Sequence, residues 1–332
     1  MSRKNTIRFT GLMLLTAFVL IMPATAVHAT GTPAGTSITN QASVAYEDAL
    51  NNNYSANSNT VTTTVTAVYT VSVNAPVNQS GNSDTIVYYA YTVTNTGNDP
   101  NTFALSAASG AGGNSWTVTL IADDDNDGNH DAGEVTVTAS TGSIAQDTAY
   151  KFFVAVTIPA DKANGQTDNT DLTITGSGDA GAGDDTSDSV TTTAQAPSLS
   201  IVKRVRNVTD AGAFGTTANA DPNDTLEYRI EVTNSGTVGA TLVVLTDNDH
   251  ADTTYTAESI RIGSSTTCAS NTAVDDDNTQ EGGETCATDA CGQAKAVGGT
   301  ITAYLGNTAN ETTGGSLAVS STVYVCFQVT VD

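Results

Sequence analysis

An acidic segment near the middle of the chain has the donor spacing of a calcium-binding loop. Residues 123–134 read Asp-Asp-Asp-Asn-Asp-Gly-Asn-His-Asp-Ala-Gly-Glu. Such loops place side-chain oxygens at positions 1, 3, 5, 9 and 12, a glycine at position 6 and a backbone carbonyl at position 7. The residues at these positions are Asp123, Asp125, Asp127, Asp131, Glu134, Gly128 and Asn129. We therefore expect a structural Ca²⁺ ion in this segment.

The segment is similar to the calcium loop of an EF-hand but not to the whole EF-hand domain. His130 stands where an EF-hand usually carries an apolar residue. The flanking segments 116–121 and 135–138 have the composition of strands rather than helices. Closely spaced carboxylates repel one another strongly when no cation is present. A solvated acidic turn is the alternative interpretation.

The four cysteines, Cys268, Cys286, Cys291 and Cys326, all lie in the last quarter of the chain. In an oxidising compartment we expect them to form two disulfides, for which three connectivities are possible. A zinc site is the alternative, although no histidine lies near them in sequence. The acidic stretch 275–284 falls between the first two cysteines and is interpreted as a solvated insertion.

Motifs for catalysis are missing from the sequence. After residue 29 the two histidines are His130 and His250, and neither accompanies a nucleophile elbow. No glycine-rich loop of the phosphate-binding kind occurs, and the single tryptophan, Trp116, is expected in the core. The sequence predicts that the protein is not an enzyme, with an unrecognised hydrolase as the alternative.

The elements that position these residues are predicted to be β-strands. Apolar and polar residues alternate in 89–95, 154–158, 228–234 and 323–331, which is typical of half-buried strands. Thr, Ser, Asn, Gly and Val are abundant, whereas Leu, Lys and Glu are scarce. Short strands separated by turn signals predict an all-β fold, with tandem immunoglobulin-like Greek-key β-sandwiches and an extra N-terminal β-hairpin.

The strand pattern repeats, and the repeat divides the chain. We expect a signal peptide at 1–29, a hairpin at 30–66, one immunoglobulin-like domain at 67–195 and a second at 196–332. The signal prediction rests on a basic start, an apolar run at 9–22 that is too short to span a bilayer, and small residues at Val27 and Ala29. The predicted location is therefore secreted, either extracellular or on the cell surface.

The charge of the chain restricts its partners. The sequence has 11 Lys and Arg against 35 Asp and Glu. Removing Arg3, Lys4 and Arg8 of the signal leaves 8 against 35, a net charge of −27. Such a surface repels nucleic acid and anionic lipid, so we expect neither partner, and no second apolar segment is long enough to span a membrane. Its acidity suits divalent cations, and solubility alone is the other interpretation.

The C-terminal repeat carries the segments Leu-Ser-Ile-Val-Lys at 199–203, Leu-Glu-Tyr-Arg-Ile-Glu-Val-Thr-Asn-Ser-Gly at 226–236 and Phe-Gln-Val-Thr-Val at 327–331. Between them lie Val-Val-Leu-Thr-Asp at 243–247 and Gly-Gly-Ser-Leu at 314–317. With these motifs the repeat resembles the conserved-repeat domain of bacterial surface proteins, called domain of unknown function 11. The resemblance implies an immunoglobulin-like surface module without known catalysis. The first repeat matches more loosely.

The two repeats differ at their last two strands. After 154–158 the first repeat continues with 169–174 and 188–193, the expected strands F and G, whereas the second repeat has no counterpart after residue 331. Two similar segments, 38–46 and 59–65, precede the first repeat, and Asn40 and Val61 lie 129 residues before Asn169 and Val190. The core-facing phase slips by one residue in strand F. Their apolar residues are Ile38, Ala42, Val44, Tyr46, Val61 and Val65.

A sandwich without strands F and G loses much of one layer of its core. At about 1.5–3 kcal/mol for each larger apolar side chain, the loss is roughly 6–12 kcal/mol, comparable with the stability of a whole domain. We therefore predict head-to-tail donation of the hairpin to the next copy, which gives a homopolymeric fibre. The alternatives are a hairpin on the edge of the first domain, a truncated chain, or a monomeric calcium-stabilised adhesin or stalk that binds a surface or matrix partner.

Overall fold

The computed structural model describes residues 31–110, 115–137, 139–178, 184–248, 252–274 and 293–332. Regular structure in these ranges is β-strand, apart from one 3-10 turn at Cys268–Ser270. The chain is therefore all-β, as its alternating sequence predicts. It divides into two compact units with the boundary between Ala67 and Val68. The predicted signal peptide at 1–29 lies outside the described residues.

The first unit is a long antiparallel hairpin. Its strands are β1 (Ser37–Asn40), β2 (Ser43–Glu47), β3 (Asn53–Asn57) and β4 (Val61–Thr64). β1 pairs with β4, so that Asn40 lies opposite Val61, and β2 pairs with β3, so that Tyr46 lies opposite Tyr54. The pairing shifts by one residue between these two ladders, around Gln41 and Ser58.

One face of this hairpin is apolar and exposed. Ile38, Val44, Tyr46 and Val61 are each more than half exposed. The rings of Tyr46 and Tyr54 stack with centroids 5.4 Å apart. An isolated two-stranded hairpin is only marginally stable in water, because it has no layer against which to bury its apolar face. This apolar face is therefore not covered by any other part of the first unit.

The turn of the hairpin is organised by a single carboxylate. Asp48 Oδ1 accepts hydrogen bonds from the N–H groups of Leu50 and Asn52 at 2.8 and 3.0 Å. Its Oδ2 accepts from the Asn52 amide and the Tyr54 hydroxyl at 3.0 and 3.1 Å. The side-chain and backbone hydrogen bonds from Asn52 lower the pKa of Asp48 to about 2. Asn51 takes the left-handed conformation, with φ of 63°, which asparagine tolerates better than most residues.

In the second unit, residues 71–195 form a two-layer sandwich. Its strands are β5 (Val71–Val73), β6 (Gln79–Asn82), β7 (Ile86–Asn95), β8 (Asn101–Ser109), β9 (Thr117–Ala122), β10 (Ser140–Ile144), β11 (Ala149–Thr157), β12 (Thr167–Gly176) and β13 (Thr186–Gln195). One sheet has the order β5-β7-β11-β9 and the other has the order β10-β8-β12-β13-β6. All pairs are antiparallel except β6 with β13, which is parallel.

Strands β12 and β13 close the core of this sandwich. Leu172 and Ile174 on β12 and Val190 on β13 are buried against the aromatic residues of β7. The hydroxyl of Tyr89 reaches the Thr192 hydroxyl at 2.8 Å, and the hydroxyl of Tyr91 donates to Asp188 Oδ2 at 2.7 Å. Burial and the neighbouring Asp188 raise the pKa of Tyr91, so this phenol stays protonated.

Residues 199–331 form a second arrangement of two sheets. Its strands are β14 (Leu199–Asn207), β15 (Thr225–Asn234), β16 (Val244–Asn248), β17 (Thr253–Tyr255), β18 (Arg261–Gly263), β19 (Thr272–Ala273), β20 (Ala294–Val297), β21 (Thr300–Tyr304) and β22 (Thr322–Val331). One sheet has the order β14-β15-β22-β18-β19, with β17 also paired to β22, and the other has the order β16-β21-β20. The core lies between them and contains Ile230, Val325, Phe327 and Leu305.

Each sandwich has a corner of the same kind, built by one asparagine. Asn95 at the end of β7 donates from Nδ2 to the carbonyl of Ile144 at 3.0 Å. Asn234 at the end of β15 donates in the same way to Leu317, also at 3.0 Å. Each asparagine Oδ1 accepts from the N–H two residues further on, at 3.0 Å in both cases. The corner makes β7 equivalent to β15, because each strand ends at its asparagine and pairs with β11 or β22.

The glycine after each corner lets the preceding chain pass closely. A Cβ at Gly97 would meet the backbone of Val68 and Thr70, and one at Gly236 would meet that of Ala196 and Ser198. Val68 therefore enters the first sandwich as Ala196 enters the second. None of the helical structure in the described ranges is long and apolar enough to cross a membrane.

We predict that Asp48→Ala destabilises the turn of the hairpin, because the change removes the carboxylate that accepts four hydrogen bonds there. Amide exchange at Leu50 and Asn52 should accelerate, whereas Asp161→Ala, on an exposed loop of the first sandwich, should leave it unchanged. The folded pKa lies below the ordinary value of 3.8. The stabilisation is therefore complete above that value and is lost as the pH falls through about 2. Unchanged exchange in Asp48→Ala would show that the backbone alone holds the turn.

Candidate functional sites: an open sandwich face and an acidic loop

Within the described ranges, one strand of the second sandwich has an unpaired edge, whereas the equivalent strand of the first sandwich is paired on both edges. β8 lies between β10 and β12, so both of its edges are paired. β16 occupies the same place after the corner asparagine and pairs with β21. Among the described residues no strand pairs with the other edge of β16. Its free N–H and C=O groups can accept a further strand.

Burial at equivalent positions shows what this edge leaves uncovered. Tyr89 on β7 is 0% exposed beneath β12 and β13, whereas its equivalent Tyr228 on β15 is only half-buried. Val73 on β5 is half-buried. Ile201, its equivalent on β14, is 60% exposed although it lies opposite the core residue Val232. The inner face of the β14–β15 sheet is therefore open where the first sandwich is closed.

An ion pair spans the opening. Lys203 on β14 points inward, and its Nζ lies 2.5 Å from Asp247 Oδ2 on β16. The same ammonium stands over the rings of Tyr228 and Phe327, 4.5 and 5.7 Å from their centroids. Both contacts are favourable for a partly exposed cation. Lys203 thus covers aromatic surface that strands cover in the first sandwich.

The β1–β4 ladder of the hairpin has the same pairing as β12 and β13, whereas its β2–β3 ladder is shifted by one residue. Asn40 lies opposite Val61 and Ile38 opposite Thr63, as Thr170 lies opposite Val190 and Asp168 opposite Thr192. Counting along the strand places Ala42 at the position of Leu172 and Val44 at that of Ile174. Matching Asn40 with Asn169 by residue type leaves the core-facing residues of the two strands one position out of phase. The strand pairing matches Asn40 with Thr170 instead, and this brings them into phase. The predicted hairpin residues Ile38, Ala42, Val44, Tyr46, Val61 and Val65 thus correspond to the inward face.

The acidic segment forms the tip of a β-hairpin in the first sandwich. Ala122 N–H donates to the Val135 carbonyl at 3.0 Å, and Val137 N–H donates to the Leu120 carbonyl at 3.0 Å. These hydrogen bonds therefore hold the two ends of the loop 123–134 side by side. β9 matches the predicted strand at 116–121, but 135–138 was predicted as a strand and its described part has only an isolated bridge at Thr136.

The loop gathers its carboxylates into two groups of three that share Asp125. Asp123 accepts at 3.1 Å from the N–H groups of Asp127 and Gly128, which pulls the chain around it. One carboxylate oxygen from each of Asp123, Asp125 and Glu134 lies within 4.8 Å of the others. The same holds for the group Asp125, Asp127 and Asp131. Gly128 has φ of +82°, the left-handed conformation expected at position 6 of the loop.

Hydrogen bonds from the loop itself stabilise its charged groups. The Asn129 side chain and N–H donate to Asp127 at 3.0 and 2.6 Å, and together with Lys151 they lower the pKa of Asp127. Lys151 Nζ donates to the Asn126 carbonyl. Asp127 is therefore ionised at neutral pH.

The loop lies against the outer face of the β7–β11 sheet. The ring of His130 stacks on Tyr88 with centroids 4.0 Å apart and meets Phe153 edge-on at 5.8 Å. In the sequence His130 is only a departure from the EF-hand pattern, and its packing on Tyr88 and Phe153 was not predicted. The alternation that leaves Tyr88 and Phe153 on the outer face of strands β7 and β11 was the available signal.

One disulfide fastens the second sandwich. Cys268, in the 3-10 turn, is bonded to Cys326 on β22, with Cα atoms 5.7 Å apart. Both are buried. Cys326 faces away from Val325 and Phe327, so the bond ties the loop to the outer face of the sheet, as the sequence indicates. Cys286, Cys291, His250 and the acidic stretch 275–284 lie outside the described residues.

Comparisons with known proteins identify no family. No protein-family model and no curated protein matches the sequence. Among solved structures, the C-terminal domain of the AgI/II polypeptide BspA from Streptococcus agalactiae aligns over 80% of this chain and 91% of its own, with 9% identity and a TM-score of 0.33. The resemblance to the conserved-repeat domain stays a prediction.

Two other solved structures are similar over smaller parts. The CsuC–CsuE chaperone–tip adhesion subunit complex from Csu pili of Acinetobacter baumannii aligns over 52% of this chain and 80% of its own, with 10% identity and a TM-score of 0.24. A family 123 glycoside hydrolase from Clostridium perfringens aligns over 38% of this chain, with 10% identity and a TM-score of 0.26. This chain covers 27% of that hydrolase.

We predict that the double variant Cys268→Ala/Cys326→Ala is less stable than the natural chain by about 2–4 kcal/mol, because the bond closes a long loop in the unfolded state. The two cysteines are separated by 58 residues. Urea unfolding, monitored by hydrogen exchange at the amides of β22 in the second sandwich, measures the difference. Equal unfolding midpoints for the two proteins would contradict the expectation.

Proposed function

We propose that this chain is an exported structural protein of the cell surface or extracellular space, not an enzyme, and that it assembles head to tail into a fibre. Each copy donates its N-terminal hairpin, β1–β4, to the open face of the second sandwich of the next copy. The observation that carries the proposal is the edge of β16, which no strand of the described ranges pairs, beside an uncovered core, in a chain whose exposed β1–β4 ladder has the register of β12–β13.

The donated hairpin is chemically suited to this face. Its first strand adds to the edge of β16 by backbone hydrogen bonds, in the mode called β-augmentation. Its apolar face then meets Ile201, Leu226 and Tyr228, the partly exposed inner residues of the β14–β15 sheet. At about 1.5–3 kcal/mol for each larger apolar side chain buried, four such residues contribute roughly 6–12 kcal/mol.

The length of the chain favours a second copy over the same molecule. Residues 65–67, between β4 and Val68, span at most about 11 Å when extended. Val68 is hydrogen-bonded to Asn98, just beyond the end of β7, whereas Gln195 is bonded to Ser83, just before its start. Val68 and Gln195, where the chain enters and leaves the first sandwich, therefore lie at opposite ends of β7, about 30 Å apart, the length of a ten-residue strand.

The junction between the two sandwiches indicates how one copy would connect to the next. β13 leads through residues 196–198 into β14, and Ala196 passes Gly236 closely. In the same way β4 leads through residues 65–70 into β5, and Val68 passes Gly97. A hairpin seated in one copy would therefore join its own first sandwich as β13 joins β14. Such a contact is heterologous and does not close on itself, so it produces an open filament.

We predict that the chain from residue 30 onward forms filaments visible by electron microscopy and that deletion of residues 30–66 abolishes them. The shortened chain should retain its β-sheet circular dichroism and remain monomeric in light scattering, because its first sandwich is complete. Filaments that persist without residues 30–66 would refute donation. Dispersed rods from the undeleted chain would instead support a monomeric adhesin or stalk.

Single substitutions on the two faces of the hairpin test the direction of docking. Val61→Asp places a charge on the face that we propose to be buried, and we expect it to slow or stop filament growth. Thr62→Asp changes the neighbouring residue, which points to the opposite face, and should assemble normally. Both positions are exposed in the single chain, so neither change should unfold it. Equal effects at the two positions would contradict the proposed orientation.

A further inference from the structure

We propose that the loop 123–134 is a calcium site of the first sandwich, which binds one Ca²⁺ ion through Asp123, Asp125, Asp127, Asp131 and Glu134 and the backbone carbonyl of Asn129. This site is independent of the assembly model, because it lies on a different sandwich from the open face. Nothing in the donation of the hairpin requires it.

The spacing of the carboxylates matches a single ion. Calcium–oxygen distances are about 2.3–2.6 Å, so two oxygens on one ion lie at most about 5 Å apart. The groups Asp123–Asp125–Glu134 and Asp125–Asp127–Asp131 each bring their oxygens within 4.8 Å. Each triad alone fits one ion, and Asp125 belongs to both, so an ion bound at Asp125 would draw the other triad towards it.

Glu134 supplies an independent sign of a ligand. Its side chain is only 6% exposed. One of its oxygens, Oε2, accepts from the Asp131 N–H at 3.0 Å. The other oxygen, Oε1, is buried and has no hydrogen-bond partner. A buried carboxylate oxygen without a partner is costly, and a cation between Glu134, Asp123 and Asp125 removes that cost.

The donor set selects calcium. All the donors are oxygens, which suit hard cations such as Ca²⁺ and Mg²⁺ rather than zinc or copper. The only imidazole of the loop, His130, is stacked on Tyr88. Five carboxylates and a carbonyl give the six or more oxygen ligands that Ca²⁺ takes, whereas Mg²⁺ retains most of its waters and binds one or two carboxylates.

An ion at this point would fix the loop to the sheet beneath it. Without a cation, the carboxylates repel one another across the loop. With the ion bound, the loop keeps the conformation in which His130 lies on Tyr88 and Phe153 and Lys151 reaches the Asn126 carbonyl. Ion binding should therefore stabilise the first sandwich in particular.

Terbium titration of the chain from residue 30 onward tests the site, since Tb³⁺ replaces Ca²⁺ and its emission is sensitised by nearby tyrosine. Because Tyr88 lies under the loop, we expect tyrosine-sensitised emission that Ca²⁺ displaces and Mg²⁺ does not at equal concentration. Glu134→Gln should weaken Ca²⁺ binding by at least about tenfold, because it removes one of the five carboxylates. Asp161→Asn, a matched removal of one exposed carboxylate, should leave the affinity unchanged.

Thermal unfolding provides the second measurement. Added Ca²⁺ should raise the melting temperature of the natural chain and of Asp161→Asn, because a ligand that binds only the folded state stabilises it. The increase should be smaller in Glu134→Gln at the same Ca²⁺ concentration. Equal melting in Ca²⁺ and in chelator, together with no displaceable terbium emission, would overturn the proposal. Equal responses of Glu134→Gln and Asp161→Asn would show nonspecific binding to the acidic surface and would overturn it as well.

Discussion

The covering of one β-sheet by another is the constraint on which this molecule depends. A sheet with one apolar face is stable only when a second layer removes that face from water. In the first sandwich, β12 and β13 complete the second layer, and the aromatic residues of β7 are fully buried. In the second sandwich, β16, β21 and β20 cover only part of the inner face, and Lys203 covers some of the rest. The hairpin of the first unit presents an exposed apolar face but has no sheet to cover with it.

Much of this architecture could be predicted from the sequence, because strand periodicity is a local signal. The alternating residues at 89–95, 228–234 and 323–331 lie in β7, β15 and β22 with their apolar side chains inward. The donor hairpin and the calcium loop stay predictions; each could be proposed from the sequence because its residues are contiguous. Trp116, the single tryptophan, lies in the first core as predicted.

The remaining features depend on contacts between distant residues, which local patterns do not encode. The parallel pairing of β6 with β13 joins residues more than a hundred positions apart. The contact of Lys203 with Asp247 requires two strands from different sheets to face each other. The correct register of the hairpin needed the pairing of Asn40 with Val61, because alignment by residue type alone matched two asparagines. The partnerless oxygen of Glu134 could be recognised only from its surroundings.

The parallel pairing of β6 and β13 has a mechanical consequence. These strands lie near opposite ends of the first sandwich in sequence, and they run in the same direction, with Gln79 opposite Thr192 and Asn82 opposite Gln195. A pull on the two ends of the sandwich therefore slides one strand along the other instead of peeling them apart. Under shear, the hydrogen bonds between the strands carry tension simultaneously, whereas under peeling they break one after another. The first sandwich is thus built to withstand extension along the chain.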